Sequence, residues 1–227
     1  MRDIVKLSFL LLKGYSLLRA SQILHLQKLN FNKKNAADFG SLPSKDHNIT
    51  SYTKNIDLTF FNLKIENDSQ KKNTVIIDFE NINFDNYNLY KKNYEIVFAF
   101  NILEHLKDQT KIIDFSNFVL KENGLIVGST PFLFRKHGSP NDYYRFTDDI
   151  LRYNLEKSGF VKISVIPLGF GVFTMIFSSL MTYNRYLPLL NCFFFLIFLI
   201  FDLILSKLSK NNKYCFSIGY FFTAFKN

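Results

Sequence analysis

The segment Glu95-Ile-Val-Phe-Ala-Phe-Asn-Ile-Leu-Glu-His-Leu106 carries the clearest fold signal in the chain. Its apolar run at residues 95–100 reads as a buried strand and ends at the polar residue Asn101. A helical segment and a glycine turn then lead to a second apolar run at residues 125–130. Two strands separated by a helix form a βαβ unit, and such sheets bind ligands at the carboxyl ends of their strands. The polar residues after each strand are therefore the first candidates for a functional site.

Further apolar runs continue this alternation on both sides of the βαβ unit. We predict additional strands at residues 35–39, 57–62, 74–78, 161–167 and 215–225. A helix is predicted at residues 109–122, begun by Asp108 and stopped by Asn123-Gly124, and a second helix runs from its cap Thr147 to Gly159. The predicted fold is therefore α/β, a Rossmann-like and mostly parallel sheet of seven strands with flanking helices.

Composition and charge narrow the class of partner. With 227 residues, of which 48% are hydrophobic, the chain is long enough for one well-buried domain. A net charge of +9 favours anionic partners. Nucleic acid is disfavoured, because the lysines are scattered beside asparagines and form no arginine-rich stripe with aromatic residues. Cys192 and Cys215 lie in no metal-binding or disulfide pattern, so we expect no metal and a reducing, cytoplasmic location.

The N-terminal residues 1–30 form an amphipathic segment, predicted as one helix or a helix pair. Its leucines recur at helical spacing, namely Leu7, Leu10, Leu11, Leu17, Leu18, Leu24 and Leu26. Three interpretations stay open: a helix that packs on the sheet, an interfacial membrane helix, and a cleaved signal sequence.

The second long apolar run, at residues 187–205, precedes the last predicted strand. Its length is close to the roughly 20 residues that cross a bilayer, but Pro188, Asn191 and Asp202 interrupt it. A single crossing would put the last two strands on opposite sides of the membrane and is disfavoured. The alternatives are an interfacial hairpin with residues 168–181 and a buried or dimer-forming helix. Nearby cations are suited to anionic head groups: Arg185, Lys207, Lys210 and Lys213.

Several short motifs follow one another along the chain. They are Ala37-Asp-Phe-Gly-Ser41, Ile77-Asp-Phe-Glu80, Phe98-Ala-Phe-Asn-Ile-Leu-Glu-His-Leu106, Leu120-Lys-Glu-Asn-Gly-Leu125, Thr130-Pro-Phe132, Asp142-Tyr-Tyr-Arg-Phe-Thr147 and Ser158-Gly-Phe160. In this order they resemble class I S-adenosylmethionine-dependent methyltransferases. Among these, the chain is most similar to type-11-like bacterial proteins associated with cell-surface polysaccharide or lipid synthesis. The resemblance covers residues 34–167, and Gly219–Lys226 resembles the family's final antiparallel strand.

The resemblance implies S-adenosylmethionine as the cofactor. The cofactor-binding residues it implies are Asp38, Gly40, Asn62, Asp78, Phe79, Asn101, Glu104 and His105. The chain departs from the family at two of them. Gly40 is the one glycine in a loop that usually has two or three, and Asn62 puts an amide where the family has a ribose-binding carboxylate. Asp57 and Glu66 are the alternatives to Asn62. For Asp38 and Asp78, turn capping is the competing interpretation. For Glu104 and His105 it is a helix start with solvent-facing polar groups.

Methyl transfer is an in-line displacement at a sulfonium, so its catalyst aligns the acceptor and, for a hydroxyl acceptor, removes a proton. The loop after the fifth strand supplies the candidate catalytic residues, which are His137, Asp142, Tyr143 and Arg145. His137 titrates nearest neutral pH. A structural role for the Asp142 to Thr147 motif stays open, and so does binding of a substrate phosphate or carboxylate by Arg145.

These observations define four segments: the amphipathic helical segment 1–30, the methyltransferase-like core 31–167, a hydrophobic helical insertion 168–213 and the final strand 214–227. The predicted function is methyl transfer from S-adenosylmethionine to a small-molecule, saccharide or lipid-linked acceptor. The predicted location is cytoplasmic, at the periphery of the inner membrane and on its anionic surface. A non-catalytic relative that has lost cofactor binding is the alternative, and a homodimer stays open.

Overall fold

The computed structural model describes residues 2–31, 34–41, 49–53, 56–64, 73–138, 141–181, 187–208 and 216–227. The helices in these residues are α1 (Arg2–Leu12), α2 (Leu17–Leu26), α3 (Thr110–Val119), α4 (Asp148–Lys157), α5 (Val172–Leu180) and α6 (Pro188–Leu208). The strands are β1 (Lys34–Phe39), β2 (Ile56–Asn62), β3 (Thr74–Ile76), β4 (Tyr94–Phe100), β5 (Leu120–Pro131), β6 (Phe160–Leu168) and β7 (Gly219–Lys226).

The seven strands join in one mixed, mostly parallel sheet with the order β3-β2-β1-β4-β5-β7-β6. β1 pairs in parallel with β2 and with β4, and β2 pairs in parallel with β3. The carboxyl ends of β1 to β4 therefore meet at one edge of the sheet. This arrangement confirms the predicted seven-stranded α/β fold with a long apolar helix before the last strand.

Two predicted strands extend beyond the observed ones at one end. β3 ends at Ile76, so Asp78 lies in the loop that follows and not in the strand. β7 begins at Gly219, four residues later than the predicted start at Cys215, which lies outside the described residues.

Contacts divide the chain into two compact units. The helical unit comprises Met1–Leu29, Pro131–Lys136 and Ile166–Tyr220, and the sheet unit comprises Asn30–Thr130, His137–Val165 and Phe221–Asn227. The predicted N-terminal segment and most of the predicted insertion therefore fall in the same unit.

An aromatic cluster forms the centre of the sheet unit. The ring of Phe39 lies 5.3 Å from that of Phe61, 5.1 Å from that of Phe79 and 5.7 Å from that of Phe115. All four side chains are buried. Burial of a large apolar side chain stabilises the fold by roughly 1.5 to 3 kcal/mol. The cluster thereby ties β1 and β2 to α3 and to the loop after β3.

The helix predicted at residues 109–122 is shorter than expected, because α3 ends at Val119 and β5 begins at once. Leu120 pairs with Tyr94, and the next pair joins Leu125 to Ile96, so the residues between bulge out of the ladder. Asn123 has a φ of 59° within this bulge and does not stop a helix. Strand pairing thus overrides the helical pattern of residues 120–122.

Two side chains predicted as helix caps behave differently from each other. The Asp108 carboxylate accepts a hydrogen bond from the Thr110 amide at 3.1 Å, as a capping residue does, although Gln109 occupies the N-cap position. Thr147 is the N-cap residue of α4, but its side chain makes no capping hydrogen bond. The predicted stop of α4 at Gly159 agrees with the φ of 83° there.

The first two helices of the helical unit confirm the predicted helix pair. All seven leucines of the predicted apolar face are buried. Ser16 caps α2, because its hydroxyl accepts a hydrogen bond from the Arg19 amide at 3.2 Å. The opposite surface of α1 keeps apolar side chains exposed, including Val5, Phe9 and Leu12.

Helices α5 and α6 pack against each other, and a buried carboxylate joins them. The Asp202 carboxylate accepts hydrogen bonds from the Phe173 amide at 3.0 Å and from the Thr174 amide at 2.8 Å. Asp202 of α6 therefore caps the amino-terminal turn of α5. This contact explains an acidic residue in an otherwise apolar helix.

Most of α6 is exposed. Its buried residues follow helical spacing, namely Asn191, Phe195, Leu199 and Asp202. Side chains on the other faces are apolar and exposed, with Phe193 at 59% and Ile204 at 54%. Within the described residues, α6 is the one helix that is long and apolar enough to cross a bilayer, judged by length and composition.

Candidate functional site

A cavity of about 590 Å³ opens in the sheet unit at the carboxyl ends of β1, β2, β3 and β4. Its size is within the range of small-molecule sites. The residues that line it are Gly40, Asn62, Leu63, Ile77, Asp78, Phe79, Glu80, Asn81, Asn101, Ile102, His105, Leu106, Lys107, Asn141 and Tyr143.

Gly40 forms the floor of the cavity just after β1. Its φ is +79°, and a Cβ atom placed there would lie 2.6 Å from Cδ1 of Ile102. Its amide donates a hydrogen bond to the Phe61 carbonyl at 2.9 Å, which fixes the loop to β2. The backbone conformation therefore favours glycine, and any side chain at this position would also displace the end of Ile102.

Asn62 lies at the carboxyl end of β2 and lines the cavity. Its Oδ1 accepts a hydrogen bond from the Leu63 amide at 2.9 Å, and its Nδ2 donates to the Ser41 carbonyl at 3.4 Å. Asp57 lies at the opposite end of the same strand, and Glu66 lies outside the described residues. The strand register therefore favours Asn62 over Asp57 as the residue that faces a ligand.

The loop after β3 forms one wall. The Asp78 carboxylate accepts hydrogen bonds from the Glu80 amide at 2.9 Å and from Nδ2 of Asn81 at 3.0 Å. The Glu80 carboxylate in turn accepts the Lys107 amide at 2.7 Å. Asp78 thus caps its own turn, as the competing interpretation holds, and its exposed carboxylate also lines the cavity. Phe79 borders the cavity from the aromatic cluster below.

The loop after β4 forms the opposite wall. Asn101 has a φ of 51°, a left-handed conformation that asparagine tolerates better than most residues. Its amide donates to the Ser129 carbonyl at 2.8 Å. Nδ1 of His105 lies 2.6 Å from the Asn141 carbonyl oxygen, so the loops after β4 and β5 are joined at the cavity.

Two predicted cofactor residues, Asp38 and Glu104, do not line the cavity, because both are fully buried. Asp38 accepts a hydrogen bond from the Thr50 hydroxyl at 2.6 Å, which gives it a structural role beneath the Gly40 loop. Glu104 cannot be a solvent-facing group at a helix start, since its side chain is 0% exposed. Burial raises the pKa of the Glu104 carboxyl to about 8.

The candidate catalytic residues form a connected loop in which Tyr143 alone lines the cavity. Arg145 donates to both carboxylate oxygens of Asp142, at 2.5 and 2.7 Å, and the His137 amide donates to the same carboxylate at 2.9 Å. The Arg145 guanidinium lowers the pKa of Asp142. These contacts favour a positioning role for Asp142 and Arg145 over proton abstraction.

The structure therefore brings six of the predicted cofactor residues to one cavity: Gly40, Asn62, Asp78, Phe79, Asn101 and His105. The other lining residues were not among the predicted site residues, namely Leu63, Ile77, Glu80, Asn81, Ile102, Leu106, Lys107 and Asn141. Most of these lie within or directly after a predicted strand or motif, so a wider window around each strand end would have included them. Asn141 has no such signal, because the fold alone brings it to His105.

Comparisons with known proteins agree with this architecture. No family model and no curated protein sequence matches the chain. Solved structures do match. A phosphoethanolamine N-methyltransferase 2 from Haemonchus contortus has a TM-score of 0.56 and 15% identity, and the match covers 90% of this chain and 51% of that one. The chain thus spans about half the length of that relative.

Two further matches differ in their described activity. An S-adenosylmethionine-dependent methyltransferase from Thermotoga maritima, described as a possible histamine N-methyltransferase, has a TM-score of 0.57 and 12% identity over 96% of this chain and 93% of that one. A [4+2]-cyclase has a TM-score of 0.53 and 13% identity over 91% of this chain and 81% of that one. The fold of this chain is the class I Rossmann-like fold of S-adenosylmethionine-dependent methyltransferases.

Proposed function

We propose that the protein is an S-adenosylmethionine-dependent methyltransferase that acts on a small-molecule, saccharide or lipid-linked acceptor. The observation that carries the proposal is the cavity at the carboxyl ends of β1 to β4, which is lined by the glycine, amide and carboxylate groups that the sequence motifs single out. Ligands of open α/β sheets bind at this edge.

The residues present suit the cofactor. Gly40 keeps the floor of the cavity free of a side chain. Asn62 offers amide donors and an acceptor for ribose hydroxyls, and the exposed Asp78 carboxylate has acceptor capacity for the adenine amino group. Asn101 and the turn after β4 would hold the methionine portion. When bound, S-adenosylmethionine supplies an electrophilic methyl group on its sulfonium.

The chain's own task in methyl transfer is to align the acceptor with that methyl group and to accept its proton where it is a hydroxyl. Tyr143 lines the cavity, and His137 lies on the same loop with its Nδ1 3.4 Å from the Asp142 carboxylate. His137 is therefore the candidate base, with the Asp142 carboxylate beside its ring.

Calorimetry with S-adenosylmethionine and S-adenosylhomocysteine tests the proposal. We expect heat of binding in the wild type and a loss of at least about tenfold in affinity for Asp78→Ala. Asp78→Asn keeps an acceptor for the Glu80 amide, so this variant separates loss of a ligand contact from loss of the turn. Asp57→Ala is the matched control, because Asp57 is an exposed acid at the far end of β2. Absence of heat at millimolar cofactor contradicts the proposal.

The alternative is a relative with this fold that does not bind the cofactor. Two observations support it: Asp78 is engaged in its own turn, and a protein with a comparable TM-score is described as a cyclase. The same calorimetric experiment separates the two, since the alternative requires a folded wild type that produces no heat with either cofactor form.

We further propose that the protein associates with the periphery of a membrane at the cytoplasmic side. The exposed apolar side chains of α1 and α6 support this, together with a net charge of +9. Exposed apolar surface with nearby cations is typical of interfacial binding. Flotation with anionic vesicles tests it.

A further inference from the structure

Three side chains with metal-binding atoms converge beside the cavity, all within the sheet unit. Glu104, His105 and His137 each place one ligand atom so that all three atoms lie within 4.8 Å of one another. The rings of His105 and His137 are 5.0 Å apart and nearly perpendicular. Two imidazoles and one carboxylate are a donor set that divalent transition metals favour.

The hydrogen bond of His105 fixes which of its nitrogens is available. Nδ1 lies 2.6 Å from the Asn141 carbonyl oxygen, and a carbonyl can only accept, so Nδ1 carries the proton. The lone pair of the neutral ring is therefore on Nε2, which lies 3.8 Å from Oε1 of Glu104. Histidines that bind metals are oriented in this way by a carbonyl on the other nitrogen.

The Glu104 carboxylate is the second, independent indication of a ligand. Its side chain is 0% exposed, and neither oxygen accepts a hydrogen bond from another described residue. A buried carboxylate without a partner costs several kcal/mol unless a proton or a cation neutralises it. A proton on Glu104 does not bridge to His105, because 3.8 Å is too long for a hydrogen bond.

The 3.8 Å between Oε1 of Glu104 and Nε2 of His105 suits a cation shared by the two atoms better than it suits a hydrogen bond. Two ligand atoms each about 2.1 Å from one cation lie roughly 3.0 to 3.5 Å apart. The three ligand atoms lie within 4.8 Å of one another, so side-chain rotations have to bring them closer when the cation binds. The Asp142 carboxylate lies 3.4 Å from Nδ1 of His137 and is itself held by Arg145. Carboxylate partners of this kind raise the basicity of a metal-binding imidazole.

We propose that Glu104, His105 and His137 bind one divalent transition-metal cation. Asn141, through its carbonyl, and Asp142, through its carboxylate, position the two imidazoles. This proposal differs from the sequence-based expectation of no metal. No CxxC or HxxxH spacing marks the three residues, because His137 is more than 30 positions from the other two.

The site goes beyond the proposed methyl transfer and does not rest on it. His105 also lines the cavity, so a cation held there would stand at the cavity wall. A cation at that place lowers the pKa of an oxygen ligand beside it. The His137 lone pair cannot both bind a cation and accept a proton, so metal binding replaces the role of His137 as a base.

Titration of the chelator-treated, full-length protein with Co²⁺ tests the site without any cofactor or acceptor. We expect one Co²⁺ per chain, with the visible absorption bands of a low-coordinate cobalt site. Glu104→Gln, His105→Gln and His137→Gln each remove a ligand, and each should weaken Co²⁺ binding by at least about 100-fold. His25→Gln is the matched control, because the Nδ1 of His25 lies 2.9 Å from the Ser21 carbonyl in α2.

A second measurement keeps the test valid if a variant fails to fold. In proton NMR spectra of the wild type, stoichiometric Co²⁺ should shift or broaden the ring signals of His105 and His137 and leave those of His25 unchanged. The inference is overturned if Co²⁺ does not bind below about 1 mM, if His137→Gln binds as the wild type does, or if the His25 signals respond equally.

Discussion

The buried Glu104 side chain makes the free energy of unfolding depend on pH. In metal-free protein its pKa is raised from 4.5 to about 8 by burial. Between these values the unfolded chain releases the proton and the folded chain retains it. The free energy of unfolding therefore falls as pH rises through this window, by up to about 1.4 kcal/mol per pH unit.

Glu104→Gln removes this titration and keeps the shape of the side chain. Between pH 5.5 and 7.5, with a chelator present, we expect the wild type to lose about 2 to 3 kcal/mol of stability relative to the variant. Urea unfolding at both pH values measures the difference. Glu122→Gln is the control, because Glu122 is half-exposed and paired with Lys92. Equal slopes in the wild type and in Glu104→Gln would contradict the burial argument.

Residues at strand ends were the most predictable part of the site. Asn62, Asp78 and Asn101 each follow an apolar run, and parallel strands bring such positions together at one edge. Asp38 and Glu104 fit the same rule, yet their side chains point into the protein. A sequence pattern gives the position of a residue along a strand, whereas its side-chain direction depends on what packs around it.

One buried carboxylate links α5 and α6, beside the aromatic contacts between these helices. Asp202 is buried and accepts the amides of Phe173 and Thr174. Asp202→Ala leaves these amides without that acceptor, so we expect a loss of about 1 to 3 kcal/mol in the free energy of unfolding. Asp202→Asn retains one acceptor oxygen and should lose less.

Hydrogen exchange identifies where the Asp202 effect arises. In Asp202→Ala the amides of Phe173 and Thr174 should exchange faster than in the wild type. Ser206→Ala is the matched control, since Ser206 is an exposed polar residue one turn later on α6. Unchanged exchange at Phe173 and Thr174 would show that the cap contributes nothing to α5.

The ends of helices and strands could be predicted where neighbouring residues define them. The prediction was wrong where pairing with a distant strand defines them. β1, β2 and β4 were predicted to within one residue at each end, because apolar runs and turns define them. The end of α3 was predicted three residues too late. Leu120 continues the helical pattern, and only its pairing with Tyr94, 26 positions earlier, places it in β5. Local sequence does not report a partner at that distance.

The whole molecule combines a net charge of +9 with an apolar surface on its helical unit. Soluble proteins rarely expose large contiguous apolar patches without a partner. On α6, Phe193 and Ile204 are more than half exposed, and Lys207 lies at the end of the helix. A bilayer surface would cover the apolar groups and attract the cations, whereas a second copy of the chain would cover the apolar groups alone.

We therefore expect the wild type to float with anionic vesicles in a density gradient. Replacing Phe193 and Ile204 together by serine should weaken vesicle binding at least tenfold, because each buried apolar side chain contributes roughly 1.5 to 3 kcal/mol. The matched control replaces Leu89 and Ile76, which are 83% and 60% exposed in the sheet unit, and should float as the wild type does. A wild type that stays at the bottom contradicts membrane association. If light scattering then shows a dimer that the α6 variant converts to a monomer, the apolar face of α6 serves self-association instead.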